Sequence, residues 1–113
     1  MADPVNWTGK SGRKYAYWFL DIKDGIKDEG GNYLFVKRTA TNQLVMLYAG
    51  QADSLKARLP NHERLADARR AGATDIMAHT TPNGETARLA EEKDLIQQWN
   101  PVLNTHHNQA SSR

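Results

Sequence analysis

The stretch GGNYLFVKRTATNQLVMLYAG, residues 30–50, sets two apolar runs around a polar turn at Thr39–Asn42. This pattern predicts a β-hairpin with strands near Asn32–Lys37 and Leu44–Tyr48. Upstream, YAYWFLDI (Tyr15–Ile22) is aromatic-rich and β-prone and reads as an additional strand; ATDIMAHT (73–80) reads as another. The helical signals follow a different rhythm. Asp53 or Ser54 caps a short helix, SLKARL, which Pro60 stops or kinks. Asn61 caps a second helix running through Arg70, with Gly72 at its C-terminal end. The longest helix runs from Glu85 to Trp99, after the turn Asn83-Gly84, and Asn100-Pro101 ends it because the residue before proline is driven out of the α region. The order predicts an α/β (α+β) layer domain: a small mixed or antiparallel three-stranded sheet flanked by helices, with an extra N-terminal strand. Residues 1–14 are expected to be loosely ordered, 15–104 to form one domain, and 105–113 to be a disordered tail.

Two positions stand out against this pattern. If Arg38 opposes Gln43, Tyr33 lies across from Tyr48, and Phe35 and Met46 follow on the same face; a bulge would change this register. Two phenols then meet at the open end of the hairpin beside glycines, as an aromatic packing pair or as part of a site. On the last helix, Trp99, Ile96, Leu89 and Leu95 fall within about 60° of Glu92 at the usual helical pitch. Glu92 is therefore expected in the middle of the apolar stripe, with Glu91, Lys93 and Asp94 pointing elsewhere. A carboxylate there needs a partner, a hydrogen-bond network or a metal, and an ion pair with Arg88 is the structural reading.

Composition adds limits. With 113 residues the chain is sized for one domain, and without cysteine its core has no disulfide or thiolate–metal staple. No apolar run approaches membrane-spanning length, and the N-terminus has no apolar signal core, which together suggest a cytoplasmic protein with no membrane partner. Fifteen Lys/Arg against thirteen Asp/Glu, with a pI near 9.0, tilts slightly towards a polyanionic partner. Lys10, Arg13 and Lys14 read as a solvated tail or a phosphate-binding arm. Tyr15, Tyr17, Trp18 and Phe19 read as core, with base stacking the alternative.

At this point the residues resemble the GIY-YIG nuclease superfamily. Its two tripeptides appear as Gly31-Asn32-Tyr33 and Tyr48-Ala49-Gly50, its arginine as Arg58 in YAGQADSLKARL, and its closing helix as EEKDLIQQWNPVLN, with the metal-binding glutamate on Glu92 and the late asparagine on Asn104. The match spans residues 31–104. It implies a DNA endonuclease using one divalent ion, Mg²⁺ or Mn²⁺, held by Glu92, with DNA as partner and a monomer or homodimer acting on it. Tyr33 would be the general base, Tyr48 would position water or phosphate, and Arg58 would offer phosphate a bidentate fork. His62, four residues after Arg58, looks like the Arg-x-x-x-His arrangement of homing and restriction members. Three features depart from the family. Asn32 and Ala49 replace isoleucines as internal packing choices, Gln51 stands where repair members often carry lysine, and the loop between the tyrosines is longer than usual. Gln51, Lys56, Arg64, Arg69 and Arg70 are candidate nucleic-acid contacts. His79 reads as structural, and His106-His107 as a remote metal candidate. The alternative to a nuclease is a catalytically silent nucleic-acid-binding module that keeps the fold.

Overall fold

The computed structural model describes residues 4–21 and 25–104; the expected tail with His106 and His107 lies outside them. Five strands, β1 (Val5–Thr8), β2 (Lys14–Leu20), β3 (Gly31–Arg38), β4 (Leu44–Ala52) and β5 (Asp75–Thr80), form one sheet in the order β1-β2-β5-β3-β4. Every neighbouring pair is antiparallel. The class is α/β as expected, but the sheet has more strands than predicted. The segment assigned to a loose N-terminus supplies β1, because Trp7 buries its ring in the core and pairs with Tyr15 across β2. Lys10 and Arg13 therefore sit in a hairpin turn, and Lys14 opens β2, so none of the three lies on a free arm.

The sheet carries helices on both faces. On one, Leu34, Val36, Met46, Ala49, Met77 and Tyr17 pack with Leu95 of α3 (Gly84–Trp99). On the other, Tyr33, Phe35 and Ala78 pack with Leu55, Leu59 and Ala68 from α1 (Leu55–Arg58), a 3₁₀ turn (Leu59–Asn61) and α2 (Leu65–Arg70). Ser54 caps α1, its Oγ accepting from the Ala57 amide at 3.1 Å. The second helix starts later than predicted, because His62 is extended (φ −69°, ψ 129°) and interrupts the run from Asn61. Asn100 ends α3 in the left-handed conformation (φ 48°), consistent with the proline that follows.

The packed face of α3 is rotated from the predicted one. Arg88, Glu91 and Leu95 are buried, whereas Leu89 and Trp99 are 45% and 43% exposed. Glu92 thus lies beside the stripe and not at its centre. Glu91, expected to face away, accepts a 2.5 Å hydrogen bond from the Tyr17 hydroxyl. His79 stacks on Tyr17 (4.3 Å between centroids) and brings Nε2 within 2.6 Å of the same Glu91 oxygen, off the axis of a linear hydrogen bond. Asp94 accepts from the Ser11 amide, the Ser11 hydroxyl and the Tyr15 hydroxyl at 2.7–2.8 Å, tying α3 to the β1–β2 turn. Arg88 pairs with Asp53 (2.6 Å) and Gln51 (3.0 Å), and no ion pair to Glu92 forms. Polar anchors join Leu95 in fixing this helix.

Removing a buried acceptor strands its donors. Glu91→Ala is therefore expected to lower the free energy of unfolding by roughly 3 kcal/mol, the order found when a buried charged pair loses one member. Urea denaturation at pH 7 measures it, and a loss of under about 1 kcal/mol, ordinary for a surface site, would remove Glu91 from the structural framework.

Candidate active site

The site forms where β3 and the edge strand β4 meet α1 and the 3₁₀ turn. The hairpin register differs from the one expected. Val36 pairs with Met46 but Phe35 pairs with Tyr48, so Leu47 is an extra residue in β4, a β-bulge. Tyr33 therefore lies opposite Gly50, not Tyr48. The bulge also sends Met46 to the α3 face while Tyr48 joins Tyr33 and Phe35 on the other. The two phenols are still neighbours, on the diagonal, with ring centroids 6.3 Å apart. Gly50 is required here: a Cβ would stand 2.5 Å from the Tyr33 hydroxyl oxygen. Gly31 is required as well, because a Cβ there would strike the His79 carbonyl oxygen of β5.

His62 stands edge-on over the three rings of Tyr33, Phe35 and Tyr48, at 5.0–5.3 Å from each. Its Nδ1 accepts from the Arg64 amide (2.9 Å), and its Nε2 lies 2.7 Å from the Tyr33 hydroxyl. A nitrogen that accepts from an amide carries no proton, so in the neutral ring the proton is on Nε2. His62 therefore donates to Tyr33 and cannot take its proton. Burial, with Arg58 nearby, lowers the His62 pKa to about 4, so the ring is neutral at physiological pH. Burial pushes the Tyr33 phenol well above its ordinary value, and Tyr48 adds to this; Arg58 pulls the other way. Tyr48 is also raised, by burial first and then by the charge of Glu92.

Arg58 reaches the same group from the end of α1, held in a bidentate ion pair with Glu63 (2.7 and 2.8 Å). Glu92 enters from α3, and its negative charge bears on both phenols. Half-buried, it makes no hydrogen bond or ion pair among the described residues, and burial raises its pKa to about 7. Arg58 also lines an open groove of about 380 Å³, with Gln51, Ser54 and Glu85, and Glu92 is not among its lining residues. Two larger cavities, of about 470 and 520 Å³, include none of Tyr33, Tyr48, Arg58, His62 or Glu92.

Asn104 serves this site from behind. Its side chain accepts from the Ala49 amide (2.6 Å) and donates to the Ala49 carbonyl (2.9 Å). β4 is an edge strand, and Asn104 satisfies its outward backbone groups as a neighbouring strand would. It contacts no group of the site directly and positions the Tyr48–Gly50 segment. Asn32 is more than a packing choice: fully buried, it donates to the Arg88 carbonyl (2.9 Å) and accepts from Thr81 (2.8 Å). The candidate nucleic-acid contacts are scattered. Gln51 accepts from Arg88, Arg64 and Arg70 both pair with Asp67, Arg69 lines the 470 Å³ cavity, and Lys56 is exposed on α1.

Among the described residues no three His, Cys, Asp or Glu side chains converge as a metal-binding group. A fully protein-ligated ion of the zinc type does not fit them. A hard, water-rich ion is compatible with them, since Mg²⁺ is commonly held by one or two carboxylates and Glu92 has no cation partner among the described residues. No protein-family model, curated protein or solved structure matches the chain. No helix is long and apolar enough to cross a membrane among the described residues.

The raised Glu92 pKa has a defined sign. Ionisation is easier in the unfolded chain than in the fold, so the cost of Glu92 is absent below pH 4.5 and grows as pH rises through about 7. Glu92→Gln is expected to match the wild type in stability at pH 4 and to exceed it at pH 8. The gain should be on the order of 1–2 kcal/mol, allowing for the water that the group still reaches. Thermal or urea unfolding across pH checks this, and parallel curves for the two proteins would show that Glu92 is already compensated.

Proposed function

We propose that this chain is a GIY-YIG-type endonuclease that hydrolyses DNA phosphodiester bonds with the help of one divalent cation. The observation that carries the reading is the uncompensated carboxylate of Glu92, set beside two phenols, a phosphate-shaped arginine and a neutral histidine. A purely structural edge has no use for such a carboxylate, which costs stability.

Each residue then has a distinct task. Arg58 binds a non-bridging phosphate oxygen pair and stabilises the charge that develops as water attacks phosphorus and the bond to the leaving oxygen breaks. Tyr33 lies at the point where the attacking water loses its proton. Its oxygen, already an acceptor from His62, becomes as a phenolate an anion held by the His62 N–H and the Arg58 charge. In the free protein burial keeps the phenol protonated, so the base forms only in a more positive environment. Glu92 would hold the divalent ion, which supplies charge neutralisation at phosphate and favours the phenolate beside it. Tyr48, more exposed, orients water or phosphate through its hydroxyl. His62 fixes the Tyr33 oxygen by donating to it, which supports Tyr33 over His62 as the base.

Incubation with supercoiled plasmid, with and without Mg²⁺ or Mn²⁺, tests the activity. Tyr33→Phe keeps the ring and is expected to slow the single-turnover step by about 10²–10⁴-fold, the usual worth of a general base. Tyr48→Phe should cost less, and Glu92→Gln should abolish metal-dependent cleavage while DNA binding in EDTA survives. Because His62 is neutral above pH 5, the rise of rate with pH should persist in His62→Asn and vanish in Tyr33→Phe. DNA binding without cleavage under every metal condition would favour the silent binding module instead.

A further inference from the structure

Arg58 does not present an empty fork. Glu63 spans it with both carboxylate oxygens, at 2.7 and 2.8 Å, the same two-point geometry in which an arginine grips a phosphodiester. The pair sits at the open side of the site, where the Glu63 side chain is 66% exposed and that of Arg58 38%. An ion pair so exposed is weakly held and opens readily. Its position is nevertheless set by the fold. Glu63 follows His62, whose ring is pinned by Tyr33 on one side and the Arg64 amide on the other. Its charge reaches further than Arg58, because the negative field of Glu63 also bears on Tyr48 and His62.

We propose that Glu63 is an anion gate, its carboxylate occupying the phosphate position on Arg58 until a nucleic-acid phosphodiester displaces it. The proposal rests on the nuclease reading for the identity of the incoming anion. It has a selective consequence. A small anion must displace a tethered carboxylate with a single contact, and the tether makes that competition unequal. A strand held along the surface by further contacts brings its phosphate to Arg58 at high local concentration and wins. Displacement also moves the Glu63 carboxylate off the arginine, leaving both donors of the guanidinium fork to the phosphate.

Binding of a fluorescein-labelled 20-base-pair duplex in EDTA, for wild type, Glu63→Gln, Arg58→Gln and the double variant, tests the gate. Glutamine keeps the shape but not the charge, and position 63 is exposed, so folding is preserved. Glu63→Gln is expected to tighten binding roughly fivefold, of the order of one well-aligned exposed ion pair, and to have no effect when Arg58 is already glutamine. Equal tightening in both backgrounds would mean general loss of a negative charge and would overturn the gate, as would no change at all. If none of the four proteins binds DNA, the nuclease reading falls, and inorganic phosphate decides the gate alone. The Arg58 Nε–Hε resonance should then shift at lower phosphate in Glu63→Gln than in wild type, and identical titrations would reject the gate.

Discussion

The candidate site depends on one extra residue in an edge strand. Strict alternation through Met46, Leu47 and Tyr48 would put Tyr48 on the same face as Met46, against α3. The bulge moves it to the face that holds Tyr33, Phe35 and His62, and places Gly50 under the Tyr33 ring. A bulge costs ladder hydrogen bonds and leaves the outer side of β4 in need of partners. Asn104 supplies them at Ala49, so the distortion is held from outside the sheet by a residue more than fifty positions away. Strand, glycine and asparagine form one device for aiming a phenol.

Much of this was legible in the sequence. The hairpin, the ends of the last helix, the stop before Pro101 and the cap on Ser54 follow from local rules, and all are present. The grouping of Tyr33, Tyr48, Arg58 and His62 was also legible, although the register was not. Whether two apolar residues in a strand alternate or bulge is decided by packing on both faces, and Leu47 looks like any strand residue. The rotation of α3 was hidden for a related reason. Counting leucines and tryptophan placed Glu92 at the stripe centre, but the helix is fixed by Arg88, Glu91 and Asp94, whose partners Asp53, Tyr17, His79 and Ser11 lie far away in sequence. Glu63 gave no signal either, since its five-residue spacing from Arg58 spans a proline turn and matches no helical pair.

Adjacent carboxylates on α3 have opposite fates, and the contrast separates structure from site. Glu91 is enclosed by a phenol donor and an imidazole, so its burial is compensated. Glu92, one residue on and about 100° around the helix, is given no donor among the described residues and has its pKa raised. Glu91 is the more deeply buried of the two, and it is the one supplied with a donor. The helix tolerates an unpaired Glu92 because three other side chains already hold it against the sheet and the β1–β2 turn.

The same reasoning orders the electrostatics around Tyr33. A buried phenol resists ionisation, a neutral histidine can offer it one N–H, and an arginine can offer charge, yet in the free protein that charge is shared with Glu63. Glu92 adds a further negative charge from the other side. The resting site is therefore biased against the phenolate by burial, by Tyr48 and by Glu92, with one guanidinium opposing them. A positive charge at Glu92 shifts the balance towards the phenolate, whereas an anion that takes the place of Glu63 on Arg58 exchanges one negative charge for another. On the proposed nuclease reading, a divalent ion arriving with a phosphodiester would bring that positive charge, so the reactive form of Tyr33 would be coupled to metal and substrate together.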